Sequence, residues 1–272
     1  MTMKTLVRDE YGLDHLLIGC VHTLALPGTP LYDRAGGMRK IVAQAREEAK
    51  ILEDAGFSAL LYTNESDMPY EANMPIEVIT AMTDVIAECQ AHTKLPHGVN
   101  MLIDPPASIA VAHATGGRFV RAFLTGSLVG DIGTMTPDGA RALRLRANLD
   151  AENIRIICNV TPGFSINIDT RPVEQQASGA VFIGLADVVC VSGPAAGKEA
   201  DVSLIERVAR QVPDTPVAVG TGVAEENIAR LAEVADIFIV GTSIKKDRQT
   251  LNAVEPARAQ AFVRAYENRK AG

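Results

Sequence analysis

The chain has no tryptophan, and aromatic residues make up only 4% of its 272 positions. A chain of this length buries a sizeable core, which must here be built from Val, Ile, Leu, Ala and Met. Cysteine is scarce too. Cys20, Cys89, Cys158 and Cys190 form no CxxC and no Cys/His cluster, which argues against a structural zinc site. Three of them fall in apolar runs and read as buried, reduced thiols. No disulfide is expected, as suits a cytoplasmic protein. Long hydrophobic runs are missing. No segment approaches the roughly 18 apolar residues of a membrane span, and the first apolar run is shorter than a signal-peptide core. A basic excess is missing as well: 26 Lys and Arg stand against 33 Asp and Glu, for a formal charge of -7. That balance argues against nucleic acid or an anionic membrane surface as the main partner. It leaves room for a local basic pocket holding an anionic small molecule.

What is present is a regular alternation. Short apolar runs recur at 16–21 (LLIGCV), 59–62 (ALLY), 97–103 (HGVNMLI), 119–124 (FVRAFL), 154–160 (IRIICNV), 187–192 (DVVCVS), 216–220 (PVAVG) and 236–241 (DIFIVG). They are rich in Val, Ile and Leu without clean alternation, as strands buried on both faces are. Between them lie amphipathic helical patterns such as 38–56 and 201–212, with Gly56 as a C-terminal stop. Eight such units at about 34 residues each predict a single (β/α)8 TIM barrel over residues 1–272. A doubly wound open sheet is the alternative. The count of eight and a closing helix from 257 favour the barrel.

A barrel places its active site in the loops that follow the strands. The last two strands end in Gly220-Thr221-Gly222 and Gly241-Thr242-Ser243. Glycine lets the backbone approach an anion, and N–H groups at a helix start bind it. These two turns are the expected phosphate cradle, with Lys245 or Lys246 adding charge. The plainer reading is that the glycines only permit tight turns. Ala224 stands where a Ser or Thr helix cap is expected, so either Glu225 and Glu226 supply the first-turn acidity instead or the helix start is weaker. Glu225 and Glu226 are expected to face solvent.

Other strand ends supply the candidates for chemistry. Glu65 reads as a general acid or base tuned by burial, or as a capping carboxylate, beside Asn64 and Asp67. His22 reads as a proton shuttle, a metal ligand or a hydrogen-bonded structural histidine. Arg121 inside strand 4 needs a partner: Glu65, Asp104, or a substrate carboxylate or phosphate. Asn100, Asp104, Asn159 and Ser192 are candidate substrate contacts. No lysine ends strand 5 or 6, and Lys198 sits in a loop, which disfavours Schiff-base chemistry. Glu65, Asp104 and His22 follow no metal-ligand spacing, so neither metal nor cofactor is expected.

Taken together, IGCVHTLALPGTP, LYTNESDMPY, ICNVTPG, DVVCVSGPAAGKEAD and VGTSIKKD resemble the BtpA family, more closely its SgcQ-like branch. The resemblance covers nearly the whole chain. It implies a TIM-type barrel related to phosphate-binding barrels. The first named member is associated with photosystem I biogenesis, and the SgcQ-like branch with sugar phosphotransferase genes. The family brings no settled reaction, so no catalytic role is carried over. This chain departs from the family pattern at Ala25, where a second Pro is common, and at Arg248, where Gly is frequent. It departs also at Asn159, near which many members are acidic; this favours the SgcQ-like branch. The resulting expectation is an enzyme of isomerase, lyase or nucleosidase type acting on a phosphorylated sugar or similar metabolite. A non-enzymatic assembly factor is the alternative. Homo-oligomerisation is left open.

Overall fold

A computed structural model describes residues 3–195 and 197–270. Its strands are β1 (Leu16–His22), β2 (Ala59–Thr63), β3 (His97–Asn100), β4 (Phe119–Ala122), β5 (Leu128–Gly130), β6 (Gly133–Met135), β7 (Arg155–Asn159), β8 (Ser165–Asn167), β9 (Val188–Val191), β10 (Val217–Val219) and β11 (Ile237–Val240). Eight of them close a parallel barrel in the order β1-β2-β3-β4-β7-β9-β10-β11, with β11 returning to β1. These are the eight apolar runs of the sequence. The helices are α1 (Leu6–Tyr11), α2 (Gly37–Ala55), α3 (Ile76–Gln90), α4 (Pro105–Thr115), α5 (Gly139–Asn148), α6 (Val173–Phe182), α7 (Val202–Gln211), α8 (Ile228–Leu231) and α9 (Pro256–Glu267). From α2 onward each follows one barrel strand. Among the described residues no helix is long and apolar enough to cross a membrane.

Local chemistry sets the helix ends. The Asp104, Asp138 and Asp201 side chains accept N–H bonds at the starts of α4, α5 and α7, as capping requires. Gly56 ends α2 at φ 97°, a left-handed geometry that a Cβ would strain. The expected helix after β10 contracts to the four residues of α8. Asn227 explains the contraction. Its side chain is turned back to bond Ala224 N–H and the Gly222 carbonyl, which closes the preceding loop instead of capping a helix.

The main core lies between strands and helices. A second cluster fills the barrel. It runs from Leu6 and Val7 of α1 through Leu16, Ile18, Leu61, Phe119, Ile157 and Ile239. Gly98 is required here, because a Cβ on it would lie 2.2 Å from the Phe119 ring.

The strand-4 and strand-7 loops, read from sequence as irregular, carry a small antiparallel sheet of order β6-β5-β8. Its inner side packs Leu128 and Met135 with Phe123, while Ile132 and Phe164 border them. This sheet roofs part of the barrel mouth.

Candidate active site

Side chains alternate in and out along a strand. The barrel interior is apolar to Cys20, Leu61, Phe119, Ile157 and Cys190. Two residues further on, the same inward positions become polar: His22, Thr63, Arg121, Asn159 and Ser192. Where β10 and β11 end, these positions are Gly220 and Gly241. A polar floor therefore caps the apolar interior at the strand ends.

Arg121 lies at its centre. Its Nε donates to Asn159 Oδ1 at 3.1 Å, and an Nη to Ser192 Oγ at 3.2 Å. Both partners are neutral. Among the described residues Arg121 forms no ion pair, with Glu65, Asp104 or any other carboxylate, within 4.0 Å. Its field nevertheless reaches the Glu65 carboxyl, so Glu65 is its nearest acidic neighbour in the electrostatics of the floor. Gly220 belongs to this arrangement. A Cβ there would lie 2.8 Å from an Arg121 nitrogen, 2.9 Å from Ser192 Oγ and 2.6 Å from Cys190 Sγ. The glycine makes room for the guanidinium.

Glu65 stands beside it. Burial raises its pKa above the ordinary carboxylate value, and the positive fields of Arg121 and Lys245 pull it only part of the way back. The buried Thr63 hydroxyl leans toward the carboxylate without a hydrogen bond of full geometry. His22 is the third group. Its Nδ1 lies 3.0 Å from the Thr250 carbonyl, which can only accept, so Nδ1 carries the proton and Nε2 keeps its lone pair. Desolvation, reinforced by the Lys245 charge, pushes the imidazole pKa down to about 3. His22 is thus neutral at physiological pH, while Glu65 holds a proton more tightly than a free carboxylate.

The mouth has two lobes. One, of about 750 Å³, lies toward β2, β3, β4 and β7 and extends beneath the small sheet to Ile132 and Phe164. The other, of about 310 Å³, lies toward β9, β10 and β11, lined by Gly220-Thr221-Gly222 and Gly241-Thr242-Ser243. Cys20, His22, Glu65, Arg121 and Thr221 line both. The two glycine turns thus come together, but their atoms are partly committed. Gly222 takes φ 78°, and a Cβ on it would lie 2.1 Å from the Lys198 carbonyl. Its smallness admits the neighbouring loop. Ser243 Oγ donates to the Val223 carbonyl at 2.7 Å, and Thr242 Oγ1 shares a hydrogen bond with Thr250.

Several sequence expectations need correction. Lys245 does not line this lobe, although its field reaches Glu65 and His22. It is fully buried, 2.7 Å from Glu48 of α2. Lys246 does not line the lobe either; the cations that do are Arg121, Lys198 and Arg248. Arg248 is paired with Glu226 and Glu225, both exposed. At φ 52° it adopts a conformation that favours glycine. Asn64 is buried away from chemistry. It bonds Asp67 Oδ2 and accepts from Leu102 N–H, tying the β2 loop to the β3 loop. Asp104 lines the large lobe, yet both its oxygens are occupied by backbone N–H groups of Met74 and Ala107. Asn100 is buried and lines the large lobe. Sequence reading missed Thr63 and Thr250. Thr63 was legible as the inward residue after Ala59 and Leu61; Thr250 acts through its carbonyl, which no side-chain pattern reveals. Among the described residues no three His, Cys, Asp or Glu side chains gather as a metal site.

Fold and mouth together define a closed (β/α)8 barrel with a polar floor at the strand ends. The chain belongs to the BtpA family, whose sequence model matches residues 14–268. It is 32% identical over 257 residues to the putative sgc region protein SgcQ of Escherichia coli, covering 94% of this chain and 96% of that protein. It is 29% identical over 252 residues to the photosystem I biogenesis protein BtpA of Synechocystis, covering 92% and 87%. A solved structure described as native KDPGal superposes with a TM-score of 0.58 at 15% identity, covering 94% of this chain and 96% of that one. That likeness concerns the fold alone.

Proposed function

We propose that this protein is an enzyme acting on a small phosphorylated metabolite by general acid–base chemistry at the barrel mouth. The observation that carries the reading is that His22, Glu65 and Arg121 stand where the two lobes meet. A phosphate in the glycine-lined lobe would meet Thr221 and the cations Lys198 and Arg248. It would also meet the backbone of the short 3-10 turn Thr242–Ile244. The reacting carbon would then sit over the shared floor. Glu65, whose pKa burial raises, is the acid–base group of this floor. His22 Nε2, neutral and with its lone pair free, accepts a hydrogen bond from the substrate. Arg121 stabilises negative charge that develops between them, held in place by Asn159 and Ser192. Isomerase, lyase and nucleosidase reactions are the classes this reading covers.

The test is thermal melting against inorganic phosphate and a panel of phosphorylated metabolites, since a ligand that binds only the folded state raises the midpoint. Thr221→Glu, at a partly exposed position lining both lobes, places an anion in the cradle and should abolish any shift. No shift with any phosphorylated compound, or an unchanged shift in Thr221→Glu, overturns the proposal.

A second reading is an assembly factor, as the name of the Synechocystis relative suggests. It is favoured by Phe182, Ile183 and Leu185, which are 81%, 71% and 57% exposed at the end of α6. A stoichiometric partner lost in Phe182→Ser would support it.

A further inference from the structure

The two lobes differ in chemistry as well as size. The small lobe is glycine, hydroxyl and cation. The large lobe is walled by Leu31, Met68, Pro69, Phe123, Ile132 and Phe164. Phe123 and Phe164 meet edge to face, with centroids 6.2 Å apart. Its polar lining includes Glu65, Tyr70, Asn100, Asp104, Asp131 and Asn159. The Asn159 oxygen accepts from Arg121, which leaves its amide N–H groups as the donors it can offer a ligand. Among the described residues no hydrogen bond ties down the Asn100 amide.

A polyol sugar chain suits such walls poorly. Each hydroxyl pressed against Phe, Met or Ile loses water without a partner, and that desolvation is unfavourable. A flat apolar or heteroaromatic group suits them well. Its faces contact Phe123, Phe164 and Met68, and its edge meets the floor amides. A volume of about 750 Å³ is also far more than the tail of a small sugar phosphate fills. Resting on the phosphate reading of the small lobe, we infer that the substrate is a phosphate ester carrying a flat aromatic or heteroaromatic group, and that this group occupies the large lobe. The small antiparallel sheet is then the element that sets specificity, because it supplies Ile132 and flanks Phe164.

The experiment is calorimetric titration of the whole chain with five probes: inorganic phosphate, ribose 5-phosphate, a purine nucleoside 5′-monophosphate, the matching nucleoside and 1-naphthyl phosphate. The monophosphate is expected to bind at least tenfold more tightly than ribose 5-phosphate. Phe164→Ala should shrink that ratio at least fivefold while leaving the affinity for ribose 5-phosphate within twofold. Leu31→Asp, at a rim position 58% exposed, should do the same without risk to folding. If ribose 5-phosphate binds as tightly as both the monophosphate and 1-naphthyl phosphate, the inference is overturned while the phosphate reading survives. If none of the phosphates binds, or the bare nucleoside binds as tightly as its monophosphate, the phosphate reading itself fails.

Discussion

The Lys245–Glu48 pair gives the sharpest test of how the β11 loop is built. Lys245 is 0% exposed and Glu48 2%, with 2.7 Å between Nζ and Oε2. The other Glu48 oxygen accepts the Val254 N–H at 3.0 Å. One carboxylate thus holds both ends of the segment between the Gly241 turn and α9. Lys245→Met removes one charge and leaves the other buried. Such a loss costs about 3–5 kcal/mol, because the surviving ion has neither water nor partner. For a chain of this size 1 kcal/mol moves the melting midpoint by roughly 2–4 °C, so a drop of about 6–20 °C is expected. Glu48→Gln in the same background removes the second charge and keeps an oxygen for Val254 N–H. The double variant should therefore melt above Lys245→Met and regain several degrees. Scanning calorimetry at pH 7 on wild type, both single variants and the double variant closes the cycle. A Lys245→Met midpoint within about 2 °C of wild type, or a double variant melting lower still, would refute the assignment of a buried ionised pair.

Gly220→Ala should cost about 1–3 kcal/mol by overpacking against Cys190, Arg121 and Ser192, read as a lower melting midpoint and weaker phosphate binding together. Asn159→Asp places a carboxylate on the Arg121 guanidinium, so phosphate affinity should fall about tenfold, or 1.4 kcal/mol, with no loss of melting temperature. Glu65 has a raised pKa, so burial penalises its ionised form above that value. Glu65→Gln should then be the more stable protein at pH 7, with the difference vanishing below the unfolded carboxyl range of about pH 4. His22 is shifted down to about 3; nitrogen NMR should find its ring neutral and protonated on Nδ1 at pH 5. Its contribution to stability is present above the unfolded value of about 6.5 and is lost as pH falls from there toward 3.

The eight-stranded barrel and the placement of most candidate polar groups at the strand ends were legible in the chain. Both follow from local patterns. A strand buried on both faces shows as a short Val- and Ile-rich run, and period-two alternation carries Phe119 to Arg121 and Ile157 to Asn159. The Gly-Thr turns were legible as the last two strand ends, and there they lie. Tertiary structure decided everything that depends on distant partners. Lys245 and Glu48 are 197 residues apart in sequence, so no local signal separates Lys245, buried, from Lys246, exposed. Asn64 and Glu65 are adjacent in a polar loop, yet one is spent holding Leu102 and Asp67 while the other faces the mouth. The small sheet over the mouth joins two loops whose apolar residues are too few to announce strands. Its pairing of Val129 with Ile166 exists only once the barrel has brought β4 and β7 side by side. Periodicity within one element is a property of the chain, and it fixed the scaffold. Which ends of those elements meet, which charge is neutralised and how much space is left between them are properties of closure, and they fixed the site.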